Sequence, residues 1–268
     1  MEIRRLGWAG FEVTAGGESL VIDSVRDTSP FLSEHLSEGR PIPPLHTPAS
    51  GALVTHLHFD HTDVAAIEAA VGPDGVLLRP APFVGSEAEA VFTADQEQAL
   101  AASRLEIGVV SEWEQHELGP FTVTAVPAVD GLGDPQVSWV VEADGARVFH
   151  GGDTLFHGSW WLIAGRLGPI DVAALPINAA VVNAPHLQPQ SMLPAAMGPR
   201  EAAQAAAILQ ASTVLPMHYG ASIPGIYTED EHPIAHVREL AERAGLRVVA
   251  LDPGETLDVS TGAAPSGA

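Results

Sequence analysis

The chain of 268 residues contains no cysteine and no lysine, and each absence excludes a class of chemistry. Without cysteine the chain can form neither a disulfide bond nor a thiolate metal site. Without lysine it has no Schiff-base amine and no P-loop lysine for phosphate. Positive charge is scarce, since 12 arginines stand against 34 acidic residues, for a net charge of −22. This balance opposes general binding to nucleic acid or to an anionic membrane surface.

Long apolar runs are missing as well. No stretch of about eighteen apolar residues predicts a transmembrane helix, and the segment after Met1 lacks the apolar part of a signal peptide. The hydrophobic fraction of 46% is nevertheless enough for a sizeable core, which excludes a disordered chain. We therefore expect a cytoplasmic protein in which residues 1–268 form a single domain, with a disordered tail from about residue 260.

Hydropathy patterning predicts mostly strands in the first part of the chain and alternating strands and helices in the second. The predicted strands are 3–8, 11–15, 19–23, 52–55, 121–127, 137–142, 147–150, 171–176, 213–216 and 247–251. The predicted helices are 63–71, 83–104, 200–210 and 229–244. This order indicates two sheets that are faced by helices.

The strongest chemical signal is the segment Thr55-His-Leu-His-Phe-Asp-His61, directly after a predicted buried strand. If His56 and His58 leave the strand in extended form, the period of two places both side chains on one side. Asp60 and His61 then turn toward a second point at the start of the next helix. Imidazole and carboxylate groups are the usual ligands of Zn²⁺, so the segment predicts a metal site. The alternative is a polar turn whose histidines are satisfied by hydrogen bonds, which four such groups in this order disfavour.

The order H-x-H-x-D-H after a strand resembles the metallo-β-lactamase superfamily, and further motifs follow in that family's order. The segment His150-Gly-Gly-Asp153-Thr154 is similar to the motif whose aspartate bridges two metals, and Leu215-Pro-Met-His218-Tyr-Gly220 to the late strand-end histidine. The segment Val21-Ile-Asp23 resembles an early aspartate that supports the first histidines from behind. Leu175-Pro-Ile-Asn178 fits the strand before the late loop. The likeness spans about residues 3–259 and is nearest to the ascorbate-6-phosphate lactonase-like branch.

This resemblance implies a four-layer αββα sandwich of the α+β class, with two divalent metal ions at one edge between the sheets. Zinc is the first choice for these ions, and manganese or iron are the alternatives. The ligands that the resemblance implies are His56, His58, Asp60, His61, Asp153 and His218, and Asp130, in the loop of a further expected ligand, is the candidate for the remaining place.

The chain departs from the family pattern at Asp130. Family members place a histidine in this loop, often as Pro-Ala-x-His, whereas this chain has Val126-Pro-Ala-Val-Asp-Gly131. Either Asp130 completes the first metal site, or that site is incomplete and Asp130 only caps the turn before Gly131. A carboxylate in this position would leave the centre less positive and would favour harder ions such as Mn²⁺ or Fe²⁺.

The resemblance also implies a metallo-hydrolase, in which a metal-bound hydroxide attacks a small ester, lactone, amide or phosphoester. Asp60 would orient the nucleophile and later carry a proton, and Tyr219 would help to stabilise the oxyanion. Weaker candidates for contact with the substrate are Arg26, His157, Asn178 and His186. Two alternatives stay open: a di-iron oxidoreductase on the same scaffold, and a non-catalytic binding protein with an incomplete first metal site.

The expected partner is a small-molecule substrate, with no nucleic acid and no membrane. A homo-oligomer stays open, because Trp160 and Trp161 are candidates either for the core or for a contact between copies of the chain.

Overall fold

Seven strands build the first sheet of the computed structural model, which describes residues 1–26, 34–86 and 88–259. Their bounds are β1 Glu2–Gly7, β2 Gly10–Ala15, β3 Glu18–Ile22, β4 Ala52–Leu53, β5 Val76–Arg79, β6 Glu106–Val109 and β16 Thr256–Asp258. Along the sheet they hydrogen-bond in the order β16-β1-β2-β3-β4-β5-β6. The pairs from β16 to β3 are antiparallel, and those from β3 to β6 are parallel. The short strand β4 therefore ends at the same edge as β3 and β5.

The second sheet, also seven-stranded within the described residues, faces the first. Its strands are β7 Gln115–Leu118, β8 Phe121–Pro127, β9 Val137–Ala143, β10 Ala146–His150, β11 Val172–Pro176, β13 Thr213–Met217 and β15 Arg247–Val248. They hydrogen-bond in the order β15-β13-β11-β10-β9-β8-β7. Because β10, β11 and β13 run parallel, the loops after them emerge at one edge. A separate ribbon pairs β12 Val181–Val182 with β14 Tyr227–Thr228.

Helices cover the outer faces of both sheets. Their bounds are α1 Val64–Val71, α2 Ala94–Ala102, α3 Trp160–Leu167, α4 Pro199–Ile208 and α5 Pro233–Arg243. Helix α1 begins where Asp63 accepts a hydrogen bond from the Ala66 amide at 3.0 Å, which caps the first turn. Helices α4 and α5 each begin with a proline, which is favoured at the first helical position. None of the helices in the described part of the chain has the length and apolar character that a bilayer crossing requires.

Three apolar clusters define the layers. Phe11, Phe121 and Trp139 belong to the cluster that fills the space between the two sheets. On the outer face of the first sheet, a second cluster joins β4 and β5 to Ile67 of α1 and Leu100 of α2. On the outer face of the second sheet, the third cluster joins β10, β11 and β13 to α3, α4 and α5. The predicted αββα sandwich is thereby confirmed.

Two predicted helices are shorter in the structure than the sequence suggested. The helix expected over 83–104 forms only at Ala94–Ala102, and the described residues before it are turns and irregular chain. The helix expected over 229–244 begins at Pro233, since a proline disfavours helical geometry in the residue that precedes it. The expected tail from about residue 260 lies outside the described residues, and the single-domain organisation stays a prediction.

Candidate metal centre

The predicted ligands come together at one edge of the sandwich, where strands of both sheets end. The segment 56–61 follows β4 of the first sheet. Asp130, Asp153 and His218 follow β8, β10 and β13 of the second sheet. An isolated β-bridge between Asp130 and Thr154 holds the loops after β8 and β10 together. The order of the strands therefore brings residues that are far apart in sequence to one edge. His56 and His218, for example, are 162 positions apart and belong to the two adjacent ligand groups.

The first ligand group consists of His56, His58 and Asp130, whose ligand atoms all lie within 4.8 Å of one another. His56 is fully buried, and its Nε2 atom has no hydrogen-bond partner. The Thr55 hydroxyl donates to Asp23 at 2.7 Å and lies 3.0 Å from His56 Nδ1. Because the hydroxyl donates its own proton to Asp23, its oxygen accepts the proton of His56 Nδ1. His56 Nε2 is then unprotonated and has a free electron pair.

Burial lowers the pKa of His56 well below its ordinary value, and the charges of His61 and His58 lower it further. His56 is therefore neutral at physiological pH, which is the state that a metal ligand requires.

Asp130 is placed for both of the roles that the sequence left open. Its Oδ1 atom accepts hydrogen bonds from the Leu132 and Asp134 amides at 2.7 and 3.1 Å, which closes a turn. The same side chain stands beside His56 and His58 in the first ligand group. One carboxylate oxygen thus shapes the loop, and the carboxylate has a second oxygen to offer to a cation.

The second ligand group consists of Asp60, His61, Asp153 and His218. Asp153 lies at its centre: Oδ1 is 3.0 Å from His61 Nε2, and Oδ2 is 2.9 Å from His218 Nε2. Its Oδ2 atom is also 4.0 Å from His56 Nε2, which belongs to the first group. Asp153 therefore reaches both groups, as a carboxylate shared by two cations would.

Several of the ligand atoms converge on common points without a hydrogen-bond partner. His61 Nε2 and Asp153 Oδ1 approach to 3.0 Å, yet both are buried atoms without a hydrogen bond. Buried polar atoms almost always have a partner, so such orphaned atoms indicate a ligand. Nitrogen and carboxylate oxygen donors around one point fit a divalent transition-metal ion.

The charges of the second group support the same interpretation. Burial lowers the pKa of His61, but the Asp153 and Asp60 carboxylates outweigh burial and hold this pKa well above its ordinary value. For His218 the Asp153 carboxylate likewise outweighs burial and raises the pKa to about 9. The paired carboxylates thus attract positive charge, which a divalent cation supplies in place of the two protons.

A buried aspartate holds the imidazole of His61 from behind. Asp23 Oδ2 lies 2.7 Å from His61 Nδ1, and its Oδ1 accepts from the Thr55 amide at 2.8 Å. This contact keeps a proton on Nδ1 and turns Nε2 toward the other residues of the second group. The sequence predicted support for the first histidine pair, whereas Asp23 contacts His61 directly and reaches His56 only through the Thr55 hydroxyl. Both Asp23 and His218 adopt left-handed backbone conformations, with φ of 45° and 55°, and such conformations cluster at functional sites.

Asn178 supports His218 in a similar way. Its amide lies 3.0 Å from His218 Nδ1 and 2.6 Å from the Tyr227 hydroxyl. A His218 that binds a cation through Nε2 carries its proton on Nδ1, and the amide then presents its oxygen to that proton. Asn178 is thus a positioning residue behind a ligand, whereas the sequence suggested contact with the substrate.

The structure does not bring three of the predicted residues to the centre. The ring of Tyr219 packs under the guanidinium of Arg5 at 5.1 Å and lines a separate surface concavity, because adjacent residues after β13 point to opposite sides. The ring of His157 stacks on Trp160 at 4.6 Å, where burial lowers its pKa to about 4. The exposed Arg26 lies near Pro43, outside the cavity at the metal ligands.

Two cavities adjoin the ligands. The metal cavity, of about 80 Å³, is lined by His58, Asp60, Asp130, Asp153 and His218 together with apolar residues. The side cavity, of about 250 Å³, is lined by Phe59, Phe92, Val182, Ile223, Ile226 and neighbouring residues. His186, a predicted substrate residue, lines the side cavity, where its ring lies 4.8 Å from the ring of Phe92.

Sequence reasoning missed three residues of this centre. Asp134 lies 2.9 Å from His58 Nε2 and accepts the proton of that nitrogen, so that His58 Nδ1 is unprotonated and free to bind a cation. The Trp8 indole donates to Asp60 Oδ2 at 2.9 Å. Tyr227 lines both cavities. The spacing Asp130-Gly-Leu-Gly-Asp134 was a signal for the first of these, whereas Trp8 and Tyr227 stand in no motif.

Comparison with known proteins agrees with this geometry. Residues 19–219 match the family model described as "Beta-lactamase superfamily domain". A UPF0173 metal-dependent hydrolase of Thermococcus kodakarensis is 31% identical over 97% of this chain and 100% of its own length.

Solved structures share the fold. Igni18, a metallo hydrolase of Ignicoccus hospitalis, superposes with a TM-score of 0.64 at 22% identity, over 96% of this chain and 97% of its own. CmlA, a diiron β-hydroxylase of Streptomyces venezuelae, gives a TM-score of 0.66 at 15% identity, over 96% of this chain and 53% of its own. At these identities the likeness shows the fold alone. The family model and the relative from Thermococcus kodakarensis go further: the chain belongs to the β-lactamase superfamily, and within it to the UPF0173 family of metal-dependent hydrolases.

Proposed function

We propose that the chain is a hydrolase that works with two divalent metal ions at the centre described above. The observation that carries this proposal is the position of Asp153, whose carboxylate contacts the second ligand group and reaches toward His56 of the first. A carboxylate shared in this way holds two cations a few Å apart, which is the arrangement of two-metal hydrolytic sites. Zinc is the first choice for the second group, and the carboxylate in the first group favours manganese or iron there.

Residues of the chain account for binding and orientation. His56, His58 and Asp130 would hold one cation, and Asp60, His61, Asp153 and His218 the other. When bound, the metals would supply Lewis acidity and would lower the pKa of a water molecule, so that no serine or cysteine nucleophile is needed.

Asp60 is placed to orient an attacking water. Burial raises its pKa, but the charges of His61 and His218 outweigh burial and hold the pKa below its ordinary value. Asp60 is therefore a carboxylate in the wall of the metal cavity, where it would accept a hydrogen bond from a water molecule. The Trp8 indole fixes its orientation.

The substrate of the proposed reaction is a small ester, lactone, amide or phosphoester. The resemblance to the ascorbate-6-phosphate lactonase-like branch supports a cyclic ester, and that branch assignment stays a prediction. The small metal cavity of about 80 Å³ supports a small reacting group.

Metal analysis and turnover together test this proposal. Protein that is stripped with a chelator and reloaded with Zn²⁺, Mn²⁺ or Fe²⁺ is expected to bind close to two ions per chain. Anomalous scattering should place these ions beside His56 and His218. Hydrolysis of 4-nitrophenyl acetate should appear only after reloading. A fully loaded protein with no ion near His56 would refute the proposed centre.

A di-iron oxidoreductase is a second candidate, because Asp130 adds a carboxylate that suits iron. Iron-loaded protein would then consume dioxygen in the presence of a reductant. Absence of oxygen uptake in iron-loaded protein that hydrolyses esters would reject this candidate.

A further inference from the structure

We propose that the substrate is an uncharged carboxylic ester whose apolar substituent lies in the side cavity. The proposal rests on the proposed hydrolase function and names the class of molecule on which that function acts. It also sets phosphoesters aside, although the sequence alone left them open.

The side cavity adjoins the metal cavity. The two cavities have five lining residues in common: Phe59, Asp60, Phe92, Val182 and Tyr227. A molecule that reacts in the metal cavity can therefore extend a substituent toward the side cavity. The side cavity has a volume of about 250 Å³, which exceeds the roughly 150 Å³ that encloses a benzene ring, so it accepts a phenyl group or a chain of several carbons.

The walls of the side cavity are mostly apolar. Besides the shared residues they include Val91, Ala184, Pro185, Ile223 and Ile226, with Asn183 and His186 as further polar members. Cavities of this kind bind apolar groups, and each buried methylene contributes about 0.8 kcal/mol in transfer free energy.

Charge in the two cavities disfavours an anionic substrate. Among the lining residues that the structure describes, neither cavity has an arginine, and the chain has no lysine. Asp60, Asp130 and Asp153 instead line the metal cavity. The three carboxylates would offset most of the charge that two divalent cations supply, and a phosphodiester would find no guanidinium or ammonium group to pair with its remaining charge. A neutral carbonyl group needs no such partner.

Phe92 separates the reacting end of the site from the far end. Its ring lies 5.2 Å from the ring of His58 and 4.8 Å from the ring of His186. A substituent that passes from the metals into the side cavity must contact this ring. We assign Phe92 and Ile226 as residues that determine specificity for the substituent.

The chemistry of the step needs no further reactant. Water adds its oxygen to the acyl carbon, the bond between that carbon and the alcohol oxygen breaks, and the released alcohol takes up a proton. The products are a carboxylic acid and an alcohol, and nothing is oxidised or reduced.

Binding to the metal-free protein tests the cavity apart from catalysis. Acetamide, hexanamide and hexyl phosphate serve as probes in saturation-transfer NMR and calorimetry with chelated protein. Hexanamide is expected to bind at least about tenfold more tightly than acetamide, because four more methylenes are buried. Hexyl phosphate is expected to bind more weakly than hexanamide. Equal affinities of the two amides, or tighter binding of the phosphate, would overturn the proposal.

Two matched variants locate the effect. Ile226→Trp fills the side cavity from its rim, where Ile226 is 42% exposed and the larger ring has room to be accommodated. Leu162→Trp makes a comparable change at a 45% exposed position on α3, outside both cavities. The preference for hexanamide is expected to disappear in Ile226→Trp and to persist in Leu162→Trp. Loss of the preference in both variants, or in neither, contradicts the assignment.

Turnover by the metal-loaded protein completes the test. The ratio of kcat/KM for 4-nitrophenyl hexanoate to that for the acetate is expected to be about ten or more, and to fall about tenfold in Ile226→Trp. Bis(4-nitrophenyl) phosphate should be the poorer substrate. Hydrolysis without dependence on chain length overturns the side-cavity proposal and keeps the proposed function. Selective amide binding without any hydrolysis overturns the proposed function and keeps the cavity as an apolar binding site.

Discussion

Asp153 has two oxygens that face different histidines, at 3.0 Å from His61 and 2.9 Å from His218. Asp153→Ala is expected to lower activity by at least about 100-fold and to remove most of the bound metal, because Asp153 contacts the second ligand group and also approaches His56 of the first. Elemental analysis and ester hydrolysis measure both effects.

The control for that variant is His157→Ala. His157 stacks on Trp160 and lines neither cavity. The His157→Ala variant should retain its metal and nearly all of its activity. Equal losses in the two variants would mean that the centre lies elsewhere.

Asp130 is the residue at which this chain leaves the family pattern. Asp130→Ala is expected to release the ion of the first group while the second group stays at least partly filled, so that metal content falls from about two ions to about one. Asp130→His should restore metal binding and shift its preference from manganese toward zinc, because imidazole is the softer ligand. Metal titration of chelated protein measures both. Unchanged stoichiometry in Asp130→Ala would show that this residue only closes the turn.

Protonation of the second ligand group predicts how stability depends on pH. In metal-free protein Asp153 outweighs burial and raises the pKa of His218 to about 9, and the pKa of His61 is raised as well. A histidine with a raised pKa stabilises the fold fully below about pH 6.5, and that contribution is lost as the pH rises through the folded pKa. Chelated protein is therefore expected to lose thermal stability between about pH 6.5 and 9.5.

Metal-loaded protein should not lose this stability over the same range. Cations require deprotonated imidazoles, so the rise of Tm on adding metal should grow with pH. His236→Ala removes an exposed histidine and should leave both trends in place. Chelated protein that becomes more stable over the same range would contradict the raised pKa values.

The residues that form the two candidate ligand groups could be predicted at this scale because their signal is local. Four of them stand within the six residues His56 to His61, and Asp153 and His218 stand at strand ends in similar motifs. The supporting residues could not be predicted, because their contacts join distant positions. Trp8 meets Asp60 across 52 positions, and Asp134 meets His58 across 76. Tyr219 was predicted for the site because it follows His218, whereas the structure places Tyr227 there.

The loop between β8 and β9 acts as a unit. Asp130 closes it through the Asp134 amide, and the Asp134 side chain holds His58 at 2.9 Å. Asp134→Asn is expected to weaken metal binding in the first group by about 10–100-fold with little loss of stability, since an amide is a weaker acceptor for the His58 proton. Competition with a chromophoric chelator measures this affinity.

A matched control is Asp252→Asn, which makes the same change at an exposed position away from the ligands. Its metal affinity should equal that of the parent protein. An Asp134→Asn variant with parental affinity would remove Asp134 from the centre.

Helices and strands with a clear hydropathy period could be predicted, whereas those that depend on tertiary packing could not. The strand at 121–127 and the helix after Asp63 follow directly from alternation and capping. Helix α3 was missed because its eight residues include Gly165 and two tryptophans, and its helicity depends on burying Trp160 and Ile163 against the sheet. The strands β12 and β14 of the ribbon are each only two residues long, and they have no sequence signature.

Across the whole molecule, each proposed cation joins the two sheets. Each ligand group takes at least one histidine from the segment after β4 in the first sheet and one carboxylate from the second sheet. Bound metal should therefore oppose separation of the sheets. At about 100 times its Kd, each ion adds about 2.7 kcal/mol to the free energy of unfolding. For a chain of this size, that is a rise in Tm of about 5–10 °C per ion.

Calorimetry of chelated and reloaded protein measures this difference. The Asp153→Ala variant is the control, since it should show little rise on adding metal. A Tm that does not change on reloading would show that the cations do not link the sheets.

The pairing of β1 with β16 has a consequence for biosynthesis. Glu2 lies opposite Asp258, so β1 waits on the ribosome for a strand that is synthesised 256 residues later. Throughout translation, one edge of β1 therefore offers unpaired amide and carbonyl groups. Another nascent chain on the same messenger RNA carries an identical strand close by, and it can occupy that edge before residue 258 emerges. The edge of β1 is thus open to pairing with another chain during synthesis, and slower elongation lengthens the time for which it is open.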